Sequence, residues 1–355
     1  MPATPLPAEV DLAIIGGGFS GLAVAVAVRQ RAPGWRVGVL EASQLGAGAS
    51  GRTGGIVLDE TAVGALPGLG NVLAGFARSL HDWGVECELE LPGCWEIARR
   101  GHRYDSPINW EDSGRLGVVN VVPGGTVHPG KLLAGLARAA LAAGATLHEH
   151  MPVRAVRFGS PLELELVEGS PVHARYAVFA TNAYAHSFTG LAAYARSKFT
   201  LAVASEPLTE EQLEALGLAA RIPFYTLDLP YLWGRVLANG QVVFGGGLVA
   251  ADTPEELAAL DVRVGEAAAR LVSLEQRVHQ LHPVLRDVRI SHRWGGPISL
   301  PHTGRPVLGY HPSAANAIVL GGYYGQGVAL SVHLSHWVAA ALVGARALPA
   351  WGRAS

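Results

Sequence analysis

The hydrophobic pattern at the start of the chain predicts two short strands on either side of one helix. Residues 10–15, VDLAII, form a short apolar run of the kind that a buried parallel strand requires. A glycine-rich stretch from Gly16 to Gly21 follows, and LAVAVAVRQR then predicts a helix, which is broken by Pro33. The next segment, WRVGVLEA, predicts a second strand that ends at Glu41. These elements together predict a βαβ unit.

The glycine-rich stretch has the GxGxxG spacing, with glycines at Gly16, Gly18 and Gly21. The first permits a tight turn, the second lets the backbone approach a pyrophosphate, and the third lets the helix pack against the strand. Glu41 lies twenty residues after Gly21, where a carboxylate binds ribose hydroxyls and disfavours NADP by repelling its 2′-phosphate. Because strand, glycines, helix and acid are in register, we predict a dinucleotide site. A turn that serves only the fold is the alternative.

Composition argues against several other classes of protein. Of the 355 residues 49% are apolar and 16% are charged, and the net charge of −2 comes without a basic stripe, which predicts a large core and no nucleic-acid partner. The first residues, MPATPLPAEVD, lack the pattern of a signal peptide, and no apolar run approaches a membrane span, so we expect a soluble cytoplasmic protein.

Cys87 and Cys94 are expected to be free thiols, with a disulfide as the alternative. No metal is expected, because two histidine pairs with helical spacing lack the further ligands of a zinc motif; the pairs are His279/His282 and His333/His336.

A second glycine-rich loop, GAGASGRTGG at 46–55, can wrap backbone N–H groups around a pyrophosphate. It resembles the ASGRNGG segment of amine oxidases related to γ-glutamylputrescine oxidase, with Thr53 where that group often has Asn. Five later segments resemble the same group in the same order; they are 128–158, 176–185, 231–247, 292–310 and 318–344. The chain therefore resembles the FAD-dependent D-amino-acid oxidase superfamily, which includes glycine, sarcosine and γ-glutamylputrescine oxidases.

The resemblance implies an α/β fold in two interleaved parts. A Rossmann-type FAD-binding domain is expected from 9–80, 125–190 and 300–350. An α+β substrate domain built on a mixed sheet is expected from 81–124 and 191–299. Within the second part, Asn239-Gly240 predicts a type I′ hairpin turn, and residues 253–279 predict helices that begin at a favourable TPEE sequence.

The bound cofactor implied by the resemblance is non-covalent FAD. The loop at 46–55 lacks a linking His, and the later GQGV stretch lacks a linking Cys. The helix that begins near Gly327 is expected to direct its positive end at flavin N1 and C2=O. The residues expected to contact FAD are Gly16, Gly18, Phe19, Ser20, Gly21, Glu41, Ala42, Ser50, Gly51, Arg52, Thr53, Gly54, Gly55, Val153, Ala180, Thr181, Asn182, Gly322, Tyr324, Gly325, Gln326, Gly327 and Val328.

The candidate catalytic side chains centre on the strand YLWGRV, whose counterpart in the family faces the flavin. Alternation predicts that Tyr231, Trp233 and Arg235 share one face, with Leu232 on the opposite, core face. Aromatic rings there can hold an amine by stacking or by cation–π contact, and a packed sheet face is the alternative. The same group of candidates is completed by Arg52, Trp294 and Tyr324, together with His302.

The implied reaction is the oxidation of an amine or amino acid by hydride transfer from the amine-bearing carbon to flavin N5. Water then hydrolyses the imine. Two alternatives stay open: a dehydrogenase that passes electrons to a quinone or carrier protein, and an FAD-binding subunit without turnover. Oxygen is a candidate acceptor, and neither Lys131 nor Lys198 maps onto the lysine that promotes oxygen reaction in the sarcosine oxidase branch.

One departure from the family concerns the substrate. Amino-acid oxidases of the family often carry Arg in a G-x-R-P segment that clamps the substrate carboxylate. The corresponding stretch here, Trp294 to Pro297, reads WGGP. The missing arginine favours an amine over an α-amino acid, unless Arg235 supplies the clamp instead. The oligomeric state is left open by the sequence.

Overall fold

The computed structural model describes residues 6–99 and 106–352. The strands in these residues are β1 (Glu9–Ile15), β2 (Val37–Leu40), β3 (Ile56–Leu58), β4 (Cys94–Arg99), β5 (Trp110–Glu111), β6 (Arg115–Val122), β7 (Gly124–Thr126), β8 (Thr146–His148), β9 (Val153–Arg157), β10 (Leu162–Leu166), β11 (Val172–Phe179), β12 (Ala195–Ser205), β13 (Phe224–Thr226), β14 (Leu232–Val236), β15 (Val242–Ala250), β16 (Ile290–Pro301), β17 (Val307–His311) and β18 (Ala314–Gly321). The α-helices are α1 (Phe19–Arg31), α2 (Val72–Asp82), α3 (Pro129–Ala142), α4 (Glu210–Ala215), α5 (Pro254–Ala259), α6 (Gly265–Leu281) and α7 (Gly327–Leu342).

The first sheet has a parallel centre in which β8, β2, β1, β11 and β18 are neighbours in that order. β17 adds an antiparallel edge next to β18, and the β9–β10 hairpin pairs with the start of β11. Strand β1 is buried on both faces: Leu12 and Ile14 belong to one core cluster, whereas Ala13 and Ile15 belong to another. Two-sided burial explains the unbroken apolar run, and the predicted βαβ unit is confirmed.

Helix α1 is apolar around its whole circumference. All residues from Phe19 to Val28 are buried, because α1 packs on β1 and β2 and is covered by α3 and α7. Helix α7 is buried in the same way, from Val328 to Leu342 on most of its faces. This layer of helices places the amino termini of α1 and α7 at the carboxyl ends of the strands that precede them.

The second sheet has the order β16-β12-β15-β14-β13-β4-β6-β5. It is mixed, since β13 and β4 run parallel while the other neighbours are antiparallel, as the sequence predicts. One face of this sheet packs against α6 around a core that includes Trp110, Phe224 and Phe244. The helices predicted for 253–279 form as α5 and α6, and the side chain of Thr253 caps α5 by accepting from the backbone N–H of Glu256 at 3.1 Å.

The hairpin between β14 and β15 forms, but the predicted type I′ turn is wrong. A type I′ turn requires positive φ at both central residues. Here Gly240 has a positive φ of 84°, whereas φ of Asn239 is not positive. The N–H of Gly240 donates to Leu237 O, and the N–H of Leu237 donates to Gln241 O. The loop is therefore longer than two residues and uses the glycine as the single left-handed position.

The segment between the two sheets packs mainly with the first. Val85 and Cys87, which lie in the range assigned to the substrate domain, belong to the core cluster around α1, α2 and α7. The short sheet of β3 and β7 also lies at this junction. The division into two interleaved domains stays a prediction.

Cys87 and Cys94 are buried free thiols. In the described residues, every helix is too short or too polar to cross a membrane.

Candidate functional site

The glycines of the fingerprint form a turn that no larger residue can occupy. Gly16 has φ 111°, and a Cβ there would lie 2.6 Å from the carbonyl oxygen of Ala180. A Cβ on Gly21 would lie 1.9 Å from the carbonyl oxygen of Gly16, so this glycine sets the close packing of α1 on β1. A Cβ on Gly18 would lie 2.7 Å from Ser50 Oγ, which closes the turn against the loop at 46–55. The turn therefore has the geometry of a dinucleotide fingerprint.

The amino terminus of α1 opens onto this turn. Its N-cap, Gly18, supplies no side chain, and the Phe19 N–H donates to Ser50 Oγ at 3.0 Å. Glu41 follows β2 directly, and its carboxylate accepts from the N–H groups of Gly17 at 2.8 Å and Ser43 at 3.0 Å. A helix amino terminus whose N-cap has no side chain suits a phosphate, and the fixed carboxylate beside it suits a ribose.

Val153 and Ala42 lie near Glu41. Ala42 is exposed immediately after Glu41. Val153 begins β9, two residues after Met151, whose N–H donates to the carbonyl of Glu41 at 2.8 Å. The predicted adenine and ribose residues are thus brought together by backbone pairing.

The loop at 46–55 is fastened to the second sheet from both directions. Arg52 Nη1 donates to the carbonyl of Gly295 at 3.1 Å, and Trp294 Nε1 donates to the carbonyl of Arg52 at 3.0 Å. Arg235 Nη1 donates to the carbonyl of Gly54 at 3.2 Å. These three bonds join β14 and β16 to the loop, so the loop's conformation depends on both sheets. We call Arg52, Trp294 and Arg235 the loop clamp.

The alternation predicted for β14 is confirmed. Leu232 and Val236 are buried on the core face, whereas Trp233 and Arg235 are partly exposed on the other face and Tyr231 is 45% exposed. The indole of Trp233 lies between two glycines: a Cβ on Gly54 would come within 2.3 Å of the ring, and one on Gly245 within 2.0 Å. The face that carries Trp233 is therefore the face that meets the loop at 46–55.

Arg235 is more enclosed than the sequence suggests. Its Nη1 also donates to the carbonyl of Val127 at 2.7 Å, and its Nε is buried without a hydrogen-bond partner. Burial lowers the pKa of Arg235, and the nearby Glu90 and Glu88 partly offset this. Through Nη1, Arg235 thus fastens the loop at 46–55 by its bonds to the carbonyls of Gly54 and Val127.

The segment 321–327 joins β18 to α7 and packs against the first turn of α1. Ser20 Oγ and Tyr323 Oη are 2.7 Å apart in the core and join the first turn of α1 to this segment. Burial raises the pKa of Tyr323. Tyr323 is the residue that the sequence interpretation passed over, although its position in a Tyr-Tyr pair between glycines marks it as one to examine. Its neighbour Tyr324 is 46% exposed, and its N–H donates to Ser299 O at 3.2 Å.

Two buried polar atoms near this segment have no hydrogen-bond partner within residues 6–99 and 106–352. They are Thr181 Oγ1 and Gln326 Oε1. Asn182 is engaged, since its Oδ1 accepts from the Gly322 N–H at 3.0 Å. Helix α7 begins at Gly327 without a side-chain cap, so its first N–H groups are also free of intrahelical partners. Orphaned polar atoms and an uncapped helix between two glycine loops fit a polar cofactor held against backbone.

The candidates fall into two groups by position. Arg52, Trp233, Arg235 and Trp294 meet at the loop at 46–55. His302 lies apart in the turn after β16, where it is exposed and its N–H donates to Tyr194 O at 2.9 Å.

The histidines considered for metal binding hydrogen-bond to protein groups: His279 to Leu285 O, His282 to Val284 N, His333 to Leu69 O and His336 to Ser79 Oγ.

Gly296 lies against the side chain of Arg52. A Cβ on Gly296 would lie 3.0 Å from Arg52 Cβ, so a larger residue there requires Arg52 to shift. Arg52, Trp294 and Gly295 also line an open cavity of about 360 Å³ together with the 258–263 segment and Arg293. Arg293 is paired with Glu275, so the cavity's positive charge is partly neutralised.

The comparisons with known proteins agree with this geometry. The model of the DAO family, described as FAD dependent oxidoreductase, matches residues 11–341. A probable oxidoreductase OrdL of Rhizobium meliloti is 25% identical over 93% of this chain and 82% of its own length. The gamma-glutamylputrescine oxidoreductase of Escherichia coli is 25% identical over 90% of this chain and 80% of its own length. The crystal structure of glycine oxidase from Geobacillus kaustophilus superimposes with a TM-score of 0.75 at 20% identity and covers 96% of both chains.

The chain belongs to the DAO family of FAD-dependent oxidoreductases. Its fold is the α/β fold of these flavoenzymes, and FAD is its cofactor.

Proposed function

We propose that this enzyme oxidises an amine or amino acid at the carbon that bears the nitrogen. The flavin accepts a hydride at N5 when bound, and the imine that leaves is hydrolysed by water. The observation that carries the proposal is the position of Trp233, whose ring lies against Gly54 of the FAD loop and faces away from the core of the second sheet. This makes the Trp233 face the wall of the substrate site.

The residues proposed to hold FAD are the predicted set around the two glycine loops. The amino terminus of α1 and Ser50 bind the pyrophosphate, and Glu41 binds the ribose. Thr181 Oγ1 and Gln326 Oε1, which lack partners, are donors and acceptors for the isoalloxazine edge or ribityl chain. The first turn of α7 stabilises negative charge that develops on the reduced flavin. Binding is non-covalent.

The protein's own contribution to the chemistry is to bind and orient the substrate. Trp233 and Tyr231 present aromatic faces that stabilise a cationic amine as it binds and shield the reacting carbon from water. The loop clamp keeps the FAD loop and this wall at a fixed separation. The amine reacts in its neutral form, and it loses its proton to solvent before the hydride is transferred, so no dedicated base is needed.

An amine is favoured over a simple α-amino acid as substrate. Gly296 lacks the family's arginine, and Nη1 of Arg235 is bonded to the carbonyls of Gly54 and Val127. The relatives include enzymes named for both kinds of substrate, a gamma-glutamylputrescine oxidoreductase and a glycine oxidase. Oxygen is the proposed electron acceptor, and a quinone or carrier protein is the competing one.

Anaerobic mixing of the yellow holoenzyme with a panel of amines and amino acids tests the proposal. Loss of the oxidised flavin spectrum identifies the substrates, and admission of air then reports oxygen as acceptor by rapid return of the spectrum. We expect amines to bleach the flavin faster than glycine or D-alanine. A flavin that no member of the panel reduces contradicts the proposed function and supports an FAD-binding subunit.

A further inference from the structure

The Trp233 face of the second sheet carries a carboxylate that the proposed reaction does not use. Glu96 Oε1 accepts from the hydroxyl of Tyr225 at 2.6 Å, and Oε2 accepts from the side-chain amide of Asn120 at 3.0 Å. Both donors are neutral. Within residues 6–99 and 106–352, Glu96 forms no ion pair with an Arg, Lys or His.

Strand register places Glu96 in line with the proposed substrate site. Glu96 pairs with Tyr225, and Tyr225 pairs in turn with Trp233. The row continues through Gly245 and Ala202 to Trp294, which belongs to the loop clamp. Directly paired residues project from the same face of a sheet. Neighbouring strands are about 4.8 Å apart, so Glu96 lies roughly 10 Å from Trp233 along this row.

The surface between Glu96 and Trp233 is aromatic. The rings of Tyr225 and Tyr231 lie 6.3 Å apart, and Tyr231 lies next to Trp233's strand on the same face. Tyr231 is 45% exposed. Aromatic rings on one face of the sheet suit contact with an aliphatic chain.

We propose that Glu96 binds a second cationic group at the far end of the substrate. The substrate class is then a linear amine with an ammonium group at its other end, its chain lying on Tyr225, Tyr231 and Trp233. This inference rests on the proposed function, since the near amine must lie beside the flavin. Tyr225 and Asn120 orient the carboxylate, and the charged pair forms only when substrate binds.

The test compares hexamethylenediamine with hexylamine, which has the same chain and only one amine. For each holoenzyme variant, kcat/KM for anaerobic flavin reduction and the Kd by calorimetry are measured. We expect the wild type to prefer the diamine. In Glu96→Gln the diamine-to-monoamine ratio of kcat/KM falls roughly 10-fold, the loss expected for a hydrogen bond between charged groups. Glu96→Asp, which keeps the charge, retains part of the preference.

Two further variants separate recognition from structural damage. Tyr225→Phe removes the donor to Glu96 Oε1 and should lower the same ratio by a smaller factor. Glu163→Gln serves as the matched control, because Glu163 lies on β10 and pairs with Arg157 away from the second sheet. Its ratio should equal that of the wild type.

The outcomes distinguish this inference from the proposed function. If both amines reduce the flavin and the ratio is the same in wild type, Glu96→Gln and Tyr225→Phe, the second cation site is wrong while amine oxidation stands. If neither amine reduces the flavin but the diamine binds more tightly through Glu96, the cation site is supported and the proposed reaction is not. A wild type that binds hexylamine as tightly as the diamine overturns the inference.

Discussion

The indole N–H of Trp294 donates to the carbonyl oxygen of Arg52 at 3.0 Å. The bond joins the edge strand of the second sheet to the loop at 46–55, across 242 positions of the chain. Arg52 returns a bond to Gly295, the next residue after Trp294. The pair of bonds makes the conformation of this loop, which is proposed to bind FAD, depend on a strand of the second sheet.

Trp294→Phe should therefore weaken FAD binding while preserving the fold. It removes one hydrogen bond to the loop, for which a loss of about 0.5–1.5 kcal/mol is expected, or roughly a 2- to 13-fold rise in the Kd for FAD. Titration of the apoprotein with FAD by calorimetry measures it. Trp351→Phe is the control, since its indole bonds Pro67 O at a distance from the loop. Equal Kd values for FAD in the two variants would show that the loop clamp does not contribute to FAD binding.

Glu41→Ala should weaken FAD binding more strongly. The carboxylate is positioned after β2 to bind ribose hydroxyls by charge-assisted hydrogen bonds, whose loss costs roughly 1.5–3 kcal/mol. Glu41→Gln keeps the shape and removes the charge, so it should lie between Glu41→Ala and the wild type. Circular dichroism of the apoproteins checks that each variant folds. Wild-type affinity in Glu41→Ala would mean that the ribose lies elsewhere.

Trp233→Ala should slow flavin reduction. An aromatic contact with a cation is worth about 0.5–2 kcal/mol. The kcat/KM of flavin reduction should therefore fall by a factor between several and about thirty. The contact of Trp233 with Gly54 predicts in addition that FAD affinity changes little, because an aromatic ring against glycine contributes no hydrogen bond. Stopped-flow absorbance with a reducing amine measures the rate. If the rate of flavin reduction is unchanged but FAD binds tenfold more weakly, Trp233 supports the loop at 46–55 and does not contact the substrate.

Leu232→Ala should act on stability instead. Leu232 is fully buried on the core face of β14, and deletion of a buried leucine side chain costs roughly 2–5 kcal/mol. Urea denaturation of the apoprotein measures the loss. The rate of flavin reduction in the folded fraction should stay near that of the wild type, which separates the two faces of the strand.

Cys87 and Cys94 should be unreactive in the folded protein at neutral pH. Burial raises the pKa of Cys87 to about 11 and that of Cys94 to about 12, so both remain protonated thiols. A thiol-reactive chromogen at pH 8 should label the native protein slowly and label both cysteines at once after unfolding. Rapid labelling of either cysteine in the native state contradicts its burial.

Local pattern was enough for part of this structure. The run of apolar residues in β1, the glycines of the first turn and the helix that follows are defined by sequence neighbours, and each was predicted from them. The alternation along β14 follows in the same way from period two, with Leu232 buried and Trp233 on the other face.

The contacts of the site could not be predicted in this way. The bonds of Arg235 to Gly54 and Val127, and that of Glu96 to Tyr225, join residues more than a hundred positions apart. Each depends on contacts between segments that are distant in sequence. The turn at Gly240 differs from the predicted type I′ turn because the bond from the Leu237 N–H to Gln241 O encloses three residues and not two.

The central claim is that FAD oxidises the carbon that bears an amine. The most direct measurement is anaerobic stopped-flow of the holoenzyme with a reducing amine, protiated and then deuterated at the carbon next to nitrogen. Cleavage of that C–H bond in flavin reduction predicts slower bleaching with the deuterated amine. Bleaching at equal rates under conditions where chemistry limits the rate, or no bleaching with any amine or amino acid, would contradict the account.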